Sequence, residues 1–266
     1  MTAAAKATAP ADSIADRFEQ LCGEFKLPTL KAELVDRFRA AGHDEALELL
    51  GEVFELEASD RRERRVTRLR RASGLPPGKT FDTLDLKRFP RKLQMQLRDL
   101  ARGAFVERCA NVLAFGLPGV GKTHAMAAVG HALVQRGIPV YFSPVFRLVQ
   151  QLLAAKRDLE LPRALRKLDR YDVILLDDLG YVQQSADDAE VLFTLMAERY
   201  ERRSLVITSN LVFSKWERIF GNPMATAAAI DRIVHHSVIL EFDVSSFRGE
   251  DAAKAVASQN NGEGQS

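Results

Sequence analysis

The chain of 266 residues has little of what marks a secreted or membrane protein. Its only cysteines, Cys22 and Cys109, lie far apart in the sequence, so we expect neither a disulfide framework nor a cysteine metal site. No apolar run approaches the ~20 residues that span a bilayer. The N-terminus lacks the basic stretch followed by an apolar one that is typical of a signal peptide. These absences predict a cytoplasmic protein with no membrane partner.

A strong net charge is also missing, because 38 Lys and Arg nearly balance 36 Asp and Glu. The basic residues are nevertheless clustered. Residues 61–71 hold seven arginines, and residues 61–108 hold 15 Lys and Arg against five Asp and Glu. Arginine clusters bind phosphate backbones without reading bases, and we expect this cluster to lack acidic partners four residues away. The segment Arg61–Arg71 is therefore predicted to contact DNA; a solvated helix face is the alternative.

Periodicity and composition divide the chain into five parts. Residues 1–12 are predicted to be disordered, and residues 13–72 to form a helical domain, since apolar residues recur at three- and four-residue spacing. Residues 73–108 predict a basic linker with a lead-in helix near 91–102. Residues 109–248 alternate short apolar strands with helices, which is typical of an α/β domain whose five-stranded parallel sheet lies between helices. Residues 249–266 predict a disordered tail.

The second half of the chain supplies nine candidate elements. The predicted strands are Val112–Phe115, Val140–Phe142, Val173–Leu176, Leu205–Thr208 and Val238–Phe242. The predicted helices are Thr123–Arg136, Arg147–Leu159, Ala186–Arg203 and Ala225–His235.

One segment fits a phosphate-binding motif in full. Residues 116–123, GLPGVGKT, match G-x-x-x-x-G-K-[ST], follow an apolar strand and open a helix. Glycines let backbone N–H groups surround a phosphate, and the helix N-terminus adds positive charge. This P-loop predicts ATP binding, with Lys122 on the β- and γ-phosphates and the Thr123 hydroxyl on Mg²⁺. The residues expected to hold the nucleotide are Gly116, Pro118, Gly119, Val120, Gly121, Lys122, Thr123 and His124.

Polar residues follow two further apolar strands. Asp177 is predicted to hold Mg²⁺ with Thr123, and Asp178 to orient or deprotonate the attacking water. Asn210 is placed to hydrogen-bond the γ-phosphate or the water; a turn asparagine is the alternative. With Lys122, these residues predict an ATP-hydrolysing site.

The motifs together resemble the AAA+ class of P-loop ATPases, and in detail the IstB-type ATP-binding proteins of bacterial insertion sequences, relatives of the replicative-helicase loaders. The resemblance covers roughly residues 28–248. It is carried by residues 111–124 (NVLAFGLPGVGKTH), 177–181 (DDLGY), 199–203 with 208–210, 216–220, and 231–233 with His235. It implies a factor that oligomerises on DNA in the presence of ATP and delivers a DDE transposase to target DNA. It also implies that Asn210 is the sensor residue and that Arg232 is a catalytic arginine finger for the neighbouring subunit.

Two positions depart from the family pattern. Asp178 stands where the family often has Glu, which withdraws the carboxylate by one methylene and favours slow hydrolysis. Phe247 stands where the family's closing motif has Tyr, which leaves the role of Arg248 open.

Two further residue types, histidine and tryptophan, are predicted to have structural roles. The adjacent His235 and His236 are expected to point to different sides of a helix as surface or packing residues rather than metal ligands, and Trp216 to anchor the core or an interface.

Three other functions remain open from the sequence. They are a replicative-helicase loader, a monomeric P-loop small-molecule phosphotransferase, and a DNA-binding module that keeps ATP only as a structural ligand.

Overall fold

The computed structural model describes residues 12–180, 185–244 and 246. The predicted disordered N-terminus and tail lie outside the described residues, apart from Asp12, with which the first helix begins. Tyr181, Phe247 and Arg248 lie outside them as well. The chain divides into two compact units, Met1–Thr67 and Arg68–Ser266.

The first unit is helical, as predicted. It contains α1 (Asp12–Phe25), α2 (Pro28–Ala40) and most of α3 (Asp44–Ser73), within which the division between the units falls. A proline at the first position of α2 suits a helix start, because its missing N–H would have no partner there. The apolar stripes of the helices meet in a small core of Phe18, Cys22, Leu34 and Leu47.

The second unit contains the predicted α/β fold, together with the residues of the predicted basic linker. Two short 3₁₀ turns, Leu86–Arg88 and Phe213–Lys215, accompany its helices and strands. In chain order these are α4 (Arg91–Ala101), α5 (Ala104–Glu107), β1 (Asn111–Gly116), α6 (Lys122–Gln135), β2 (Val140–Pro144), α7 (Val145–Arg157), α8 (Leu161–Leu168), β3 (Val173–Leu179), α9 (Ala186–Arg199), β4 (Ser204–Ser209), α10 (Glu217–Phe220), α11 (Pro223–Val234) and β5 (Ser237–Phe242). No helix in the described part of the chain is long and apolar enough to cross a membrane.

All five strands run parallel, in the order β2-β3-β4-β1-β5. Parallel neighbours need crossover connections, and the helices supply them while burying the apolar strands. Every strand therefore ends at the same side of the sheet, which we call the carboxyl edge; the opposite side is the amino edge. Gly116, Asp177 and Ser209 reach the carboxyl edge on the three adjacent strands β1, β3 and β4.

Several element ends differ from those predicted. Strand β3 continues through Asp177 and Asp178, with a bulge between Leu176 and Leu179. Helix α9 ends at Arg199 rather than 203, because Tyr200 is extended and Glu201 is left-handed (φ 56°). Helix α8 was missed by the sequence analysis.

Trp216 is fully buried in the core, as one of its two predicted roles requires. Its indole N–H donates to the Leu211 carbonyl (3.1 Å).

Arg199 is an unusual member of the interior, since only 1% of it is exposed. Its guanidinium donates to the carbonyls of Leu168, Tyr171, Asp172 and Ser204, at 3.0–3.4 Å. Burial lowers the pKa of Arg199 to about 10, and the charge of Asp169, 3.8 Å away, opposes that change. The side chain therefore ties α9 to the starts of β3 and β4.

Candidate nucleotide-binding site

The loop between β1 and α6 has the curvature that a phosphate cradle needs. Gly119 and Gly121 hold left-handed backbones (φ 83° and 91°), which glycine adopts without steric cost. At Gly116 a Cβ would lie 2.7 Å from the Phe242 carbonyl, so the loop passes too close to β5 for any side chain there. The Lys122 ammonium donates to the carbonyls of Gly116 (2.7 Å) and Leu117 (2.8 Å), which places its charge inside the curve of the loop.

Asp177 and Thr123, the two predicted Mg²⁺ ligands, lie together at the carboxyl edge. Asp177 is buried, and its Oδ1 accepts a hydrogen bond from the Thr208 hydroxyl (2.7 Å). Burial raises the pKa of Asp177, and the negative charge of Asp178 raises it further. The hydrogen bonds from Thr208 and Thr123 lower this pKa, as does the positive charge of Lys79. A carboxylate and a hydroxyl are hard oxygen donors, the set that Mg²⁺ prefers, so these residues fit the metal.

The neighbouring carboxylate of Asp178 has a different environment. The bulge turns this residue to a left-handed backbone (φ 63°) and exposes it, while Asp177 stays buried. Thr208 links the two positions, because its hydroxyl donates to Asp177 and its oxygen accepts from the Asp178 N–H (2.9 Å). The sequence analysis did not identify Thr208 as a site residue. Its position in the strand that ends just before Asn210 could have indicated that it lies near Asp177.

Asn210 directly follows β4 and lines a cleft of about 460 Å³ together with Gly116 and Leu117. Its Oδ1 is buried, and the described residues offer it no hydrogen-bond donor. A Cβ on Gly180 would lie 2.8 Å from this oxygen, so glycine is needed there for the amide to fit. Asn210, the predicted sensor residue, therefore lies beside the P-loop, and its side-chain oxygen has no hydrogen-bond donor among the described residues.

A turn upstream of β1 adds residues that sequence reasoning missed. The His124 Nε2–H faces the Thr80 carbonyl (3.2 Å) and the Thr83 hydroxyl (3.0 Å), which fastens the turn to the first turn of α6. Burial is the main cause that lowers the pKa of His124. The turn brings the charge of Lys79 near enough to lower the pKa of Asp177. The glycines and prolines at 74–78 predicted only a linker, so no local pattern signalled this contact.

Arg232 lies at the amino edge, away from the other predicted catalytic residues. The amide of Asn111, the first residue of β1, donates to the Ile233 carbonyl (3.0 Å), which places the end of α11 beside the start of β1. The P-loop begins at the far end of this six-residue strand, about 17 Å away at ~3.3 Å per residue. That separation exceeds the reach of an arginine side chain. The guanidinium instead donates to the Ala228 carbonyl (3.1 Å) and covers the Phe193 ring.

The basic segment Arg61–Arg71 forms the last turns of α3, and its arginines are exposed. The expectation that they lack acidic partners is wrong at the start of the segment. Arg61 pairs with Glu57 four residues earlier, and Arg64 pairs with the same carboxylate. Within the described part of the chain, no carboxylate pairs with Arg68, Arg70 or Arg71.

Comparisons with known proteins agree on one family. Residues 22–255 match the family described as IstB-like ATP binding protein. An insertion sequence ATP-binding protein of Sinorhizobium fredii is 40% identical over 239 residues, which are 88% of this chain and 80% of that protein. The ATP-binding protein of insertion sequence IS5376 from Geobacillus stearothermophilus is 31% identical over 235 residues, 88% of this chain and 94% of that protein.

A solved structure shares the fold. AMPPCP-bound DnaA from Aquifex aeolicus matches with a TM-score of 0.52 at 17% identity, over 65% of this chain and 52% of that one.

Proposed function

Because this chain belongs to the family of IstB-like ATP binding proteins and has the fold of AAA+ P-loop ATPases, we propose that it assembles on duplex DNA in an ATP-dependent manner and assists a partner transposase in target selection. One observation carries the proposal. The phosphate cradle and the acidic pair lie at the carboxyl edge, while Arg232 lies at the amino edge. One chain therefore offers two halves of a catalytic site that it cannot join by itself.

The residues at the carboxyl edge would do most of the chemistry. When bound, ATP with Mg²⁺ supplies the phosphoanhydride bond whose hydrolysis ends the assembled state. In this proposal the loop 116–123 holds the phosphates, Lys122 neutralises the β- and γ-phosphates, and Thr123 and Asp177 hold the metal. The exposed Asp178 carboxylate orients and deprotonates the attacking water. Asn210 would hydrogen-bond the γ-phosphate or that water through its side-chain amide.

Arg232 would complete the site of the neighbouring subunit. An arginine supplied in trans stabilises the charge that develops on the transferred phosphoryl group, an effect of about 10³–10⁵-fold in related chemistry. Each interface between protomers then contains one ATP site. Assembly and hydrolysis are coupled by this arrangement, because a lone protomer lacks the arginine.

The DNA contact is proposed for the end of α3. Helical spacing sets Arg61, Arg64, Arg65, Arg68 and Arg71 along one face over about 15 Å, at ~1.5 Å per residue. Glu57 partly neutralises Arg61 and Arg64, so Arg68 and Arg71 would bind the phosphates most strongly. Contacts of this kind do not read bases, which suits a factor that accepts many target sequences.

The proposal is tested by measuring ATP hydrolysis with and without duplex DNA, with sedimentation of the same samples. We expect ATP and DNA together to yield large particles and raised turnover, and Lys122→Ala to abolish both. Lys156→Ala, a surface lysine paired with Asp187 and Glu190, is the matched control and should behave as wild type. A protein that stays monomeric, ignores DNA and hydrolyses ATP only with a small-molecule acceptor would contradict the proposal in favour of a phosphotransferase.

The partner is tested separately by co-sedimentation of the DNA-bound assembly with a transposase encoded beside the gene or with a replicative helicase. Retention of the transposase alone supports the proposal. Retention of the helicase alone would replace it with a loader function.

A further inference from the structure

A cluster of Glu201, His235 and His236 stands at the amino edge, outside the nucleotide site. Each side chain offers one metal-ligand atom, and these atoms lie within 4.8 Å of one another. Nδ1 of His235 is 3.7 Å from Oε1 of Glu201, and the two imidazole rings have centroids 4.1 Å apart. The expectation that the histidines point to different sides of a helix is therefore wrong, because α11 ends at Val234, before both of them.

The backbone holds these residues in place. His236 and Glu201 both have left-handed backbones (φ 59° and 56°), which are uncommon outside glycine. The Asn111 N–H donates to the His236 carbonyl (3.1 Å), which anchors the histidine turn to β1. The Tyr200 hydroxyl lies 3.0 Å from Nδ1 of His235 and orients that ring. The convergence of the three side chains thus follows from fixed elements and not from free surface rotamers alone.

We propose that Glu201, His235 and His236 bind a divalent transition-metal ion, for which Zn²⁺ is the best match. Two imidazoles and one carboxylate are a Zn²⁺ ligand set, whereas Mg²⁺ prefers oxygen ligands alone. Ligands ~2.0–2.2 Å from a tetrahedral Zn²⁺ lie about 3.4 Å from one another, so closing the cluster needs side-chain shifts of only about 1 Å. All three side chains are exposed, and an ion on Nδ1 of His235 would replace the contact of that atom with the Tyr200 hydroxyl. Three protein ligands leave a fourth position for water or for a group from another molecule.

A bound ion would also stiffen the end of α11. The histidine turn follows Arg232 by three residues, and Glu201 belongs to the turn after α9. The ion would therefore join two turns next to the proposed arginine finger. This consequence rests on the proposed function, while metal binding itself does not.

The test is a Zn²⁺ titration of the full chain without nucleotide and with excess Mg²⁺, repeated with Co²⁺, whose visible absorption reports tetrahedral nitrogen and oxygen ligands. The variants are His235→Asn, His236→Asn and Glu201→Gln. Asn tolerates the left-handed backbone of His236, so its effect reports on the ligand and not on the fold. His43→Asn changes an exposed histidine elsewhere and is the matched control.

We expect wild type to bind one Zn²⁺ per chain and to give the tetrahedral Co²⁺ spectrum. Each cluster variant should weaken binding at least tenfold, and His43→Asn should change it less than twofold. Wild type that binds Zn²⁺ no more tightly than the double variant His235→Asn, His236→Asn would overturn the proposal, as would an equal loss in the control. Because nucleotide and DNA are absent, this result is independent of whether the chain assembles.

Discussion

At the scale of the residue, Asp177 combines a functional position with a local cost. Its carboxylate is buried beside the P-loop, and burial raises its pKa. Two hydroxyls, those of Thr208 and Thr123, offset part of the cost of the charge. A metal ion at this place would offset the rest, because a cation favours the ionised carboxylate. The ionised Asp177 carboxylate is therefore more stable when a metal ion is bound than when the metal is absent.

Asp177→Asn should consequently stabilise the protein when metal and nucleotide are absent. The pKa of Asp177 is higher in the folded protein than in the unfolded chain, so the ionised carboxylate destabilises the fold. This destabilisation is complete above the folded pKa, and it disappears as the pH falls to the pKa of the unfolded chain, ~3.9. We expect the free energy of unfolding at pH 7 to rise by about 1 kcal/mol, with a gain that shrinks towards pH 4. Chemical denaturation in EDTA across this pH range measures both. An equally large gain at pH 4 would show that burial of charge is not the cause.

Residues close together in sequence were the ones that sequence reasoning could place. Lys122 and Thr123 follow from one contiguous motif, and Asp177 from the end of an apolar strand. Thr208 donates to the same carboxylate from another strand, and the charge of Lys79 acts on it from an upstream turn. Their role depends on strand order and on a turn held by His124, neither of which a local pattern encodes.

At the scale of the element, Arg199 determines how α9 meets the sheet. Removing it would take a charged donor from four interior backbone carbonyls, of which those of Leu168 and Asp172 keep N–H donors from Tyr171 and Ser204. A buried carbonyl left without any donor costs ~1–3 kcal/mol before relaxation. We expect Arg199→Ala to lower the free energy of unfolding by about 3–5 kcal/mol. Arg202→Ala, whose exposed side chain pairs with Glu198 and Asp169, should cost less than about 1 kcal/mol. Urea unfolding of both variants measures the difference, and similar losses would contradict the structural role of Arg199.

The end of α3 permits a charge-matched test of DNA binding. The double variant Arg68→Gln, Arg71→Gln keeps good helix formers while it removes two exposed charges from the proposed DNA-binding face. We expect DNA affinity at low salt to fall at least tenfold, and the slope of log K against log salt to shrink by about 0.9 for each phosphate that the variant no longer neutralises. The control, Arg157→Gln, Arg166→Gln, removes the same charge from α7 and α8. An equal effect in the control would show that net charge, and not α3, governs binding.

The five strands were predictable, but helix α8 and several element ends were not. The five strands follow from apolar runs separated by helical periodicity, and all five are present. The end of α9 at Arg199 was missed because residues 200–203 favour a helix locally, whereas the buried guanidinium and the left-handed Glu201 terminate it. The end of α11 at Val234 decides where His235 and His236 point, which explains why the histidine cluster was missed.

At the scale of the whole molecule, the sheet separates two sets of residues that the proposed chemistry needs together. The strand order puts β1 between β4 and β5, so the P-loop faces Asp177 and Asn210 at one edge while Asn111 holds α11 at the other. A head-to-tail contact between identical chains would bring the two edges together, and repeated contacts of that kind build rings or helical filaments. The fold is thus compatible with the proposal that the complete catalytic site forms only between assembled protomers.

Mixing two inactive variants tests this arrangement directly. Asp178→Asn lacks the proposed water-activating carboxylate but keeps Arg232, and Arg232→Ala lacks the arginine but keeps the carboxyl edge. Each alone should lose at least ~100-fold in ATP turnover. In an equal mixture, about a quarter of head-to-tail interfaces pair an intact site with an intact arginine, so turnover should recover to about a quarter of wild type.

The matched control for this mixing experiment is the double variant Asp178→Asn, Arg232→Ala. It offers no arginine to a neighbour, so adding it to Arg232→Ala should restore no turnover. A mixture of the two single variants that is no more active than the sum of its parts, while sedimentation shows that they assemble together, would exclude Arg232 as the residue that completes the neighbouring site.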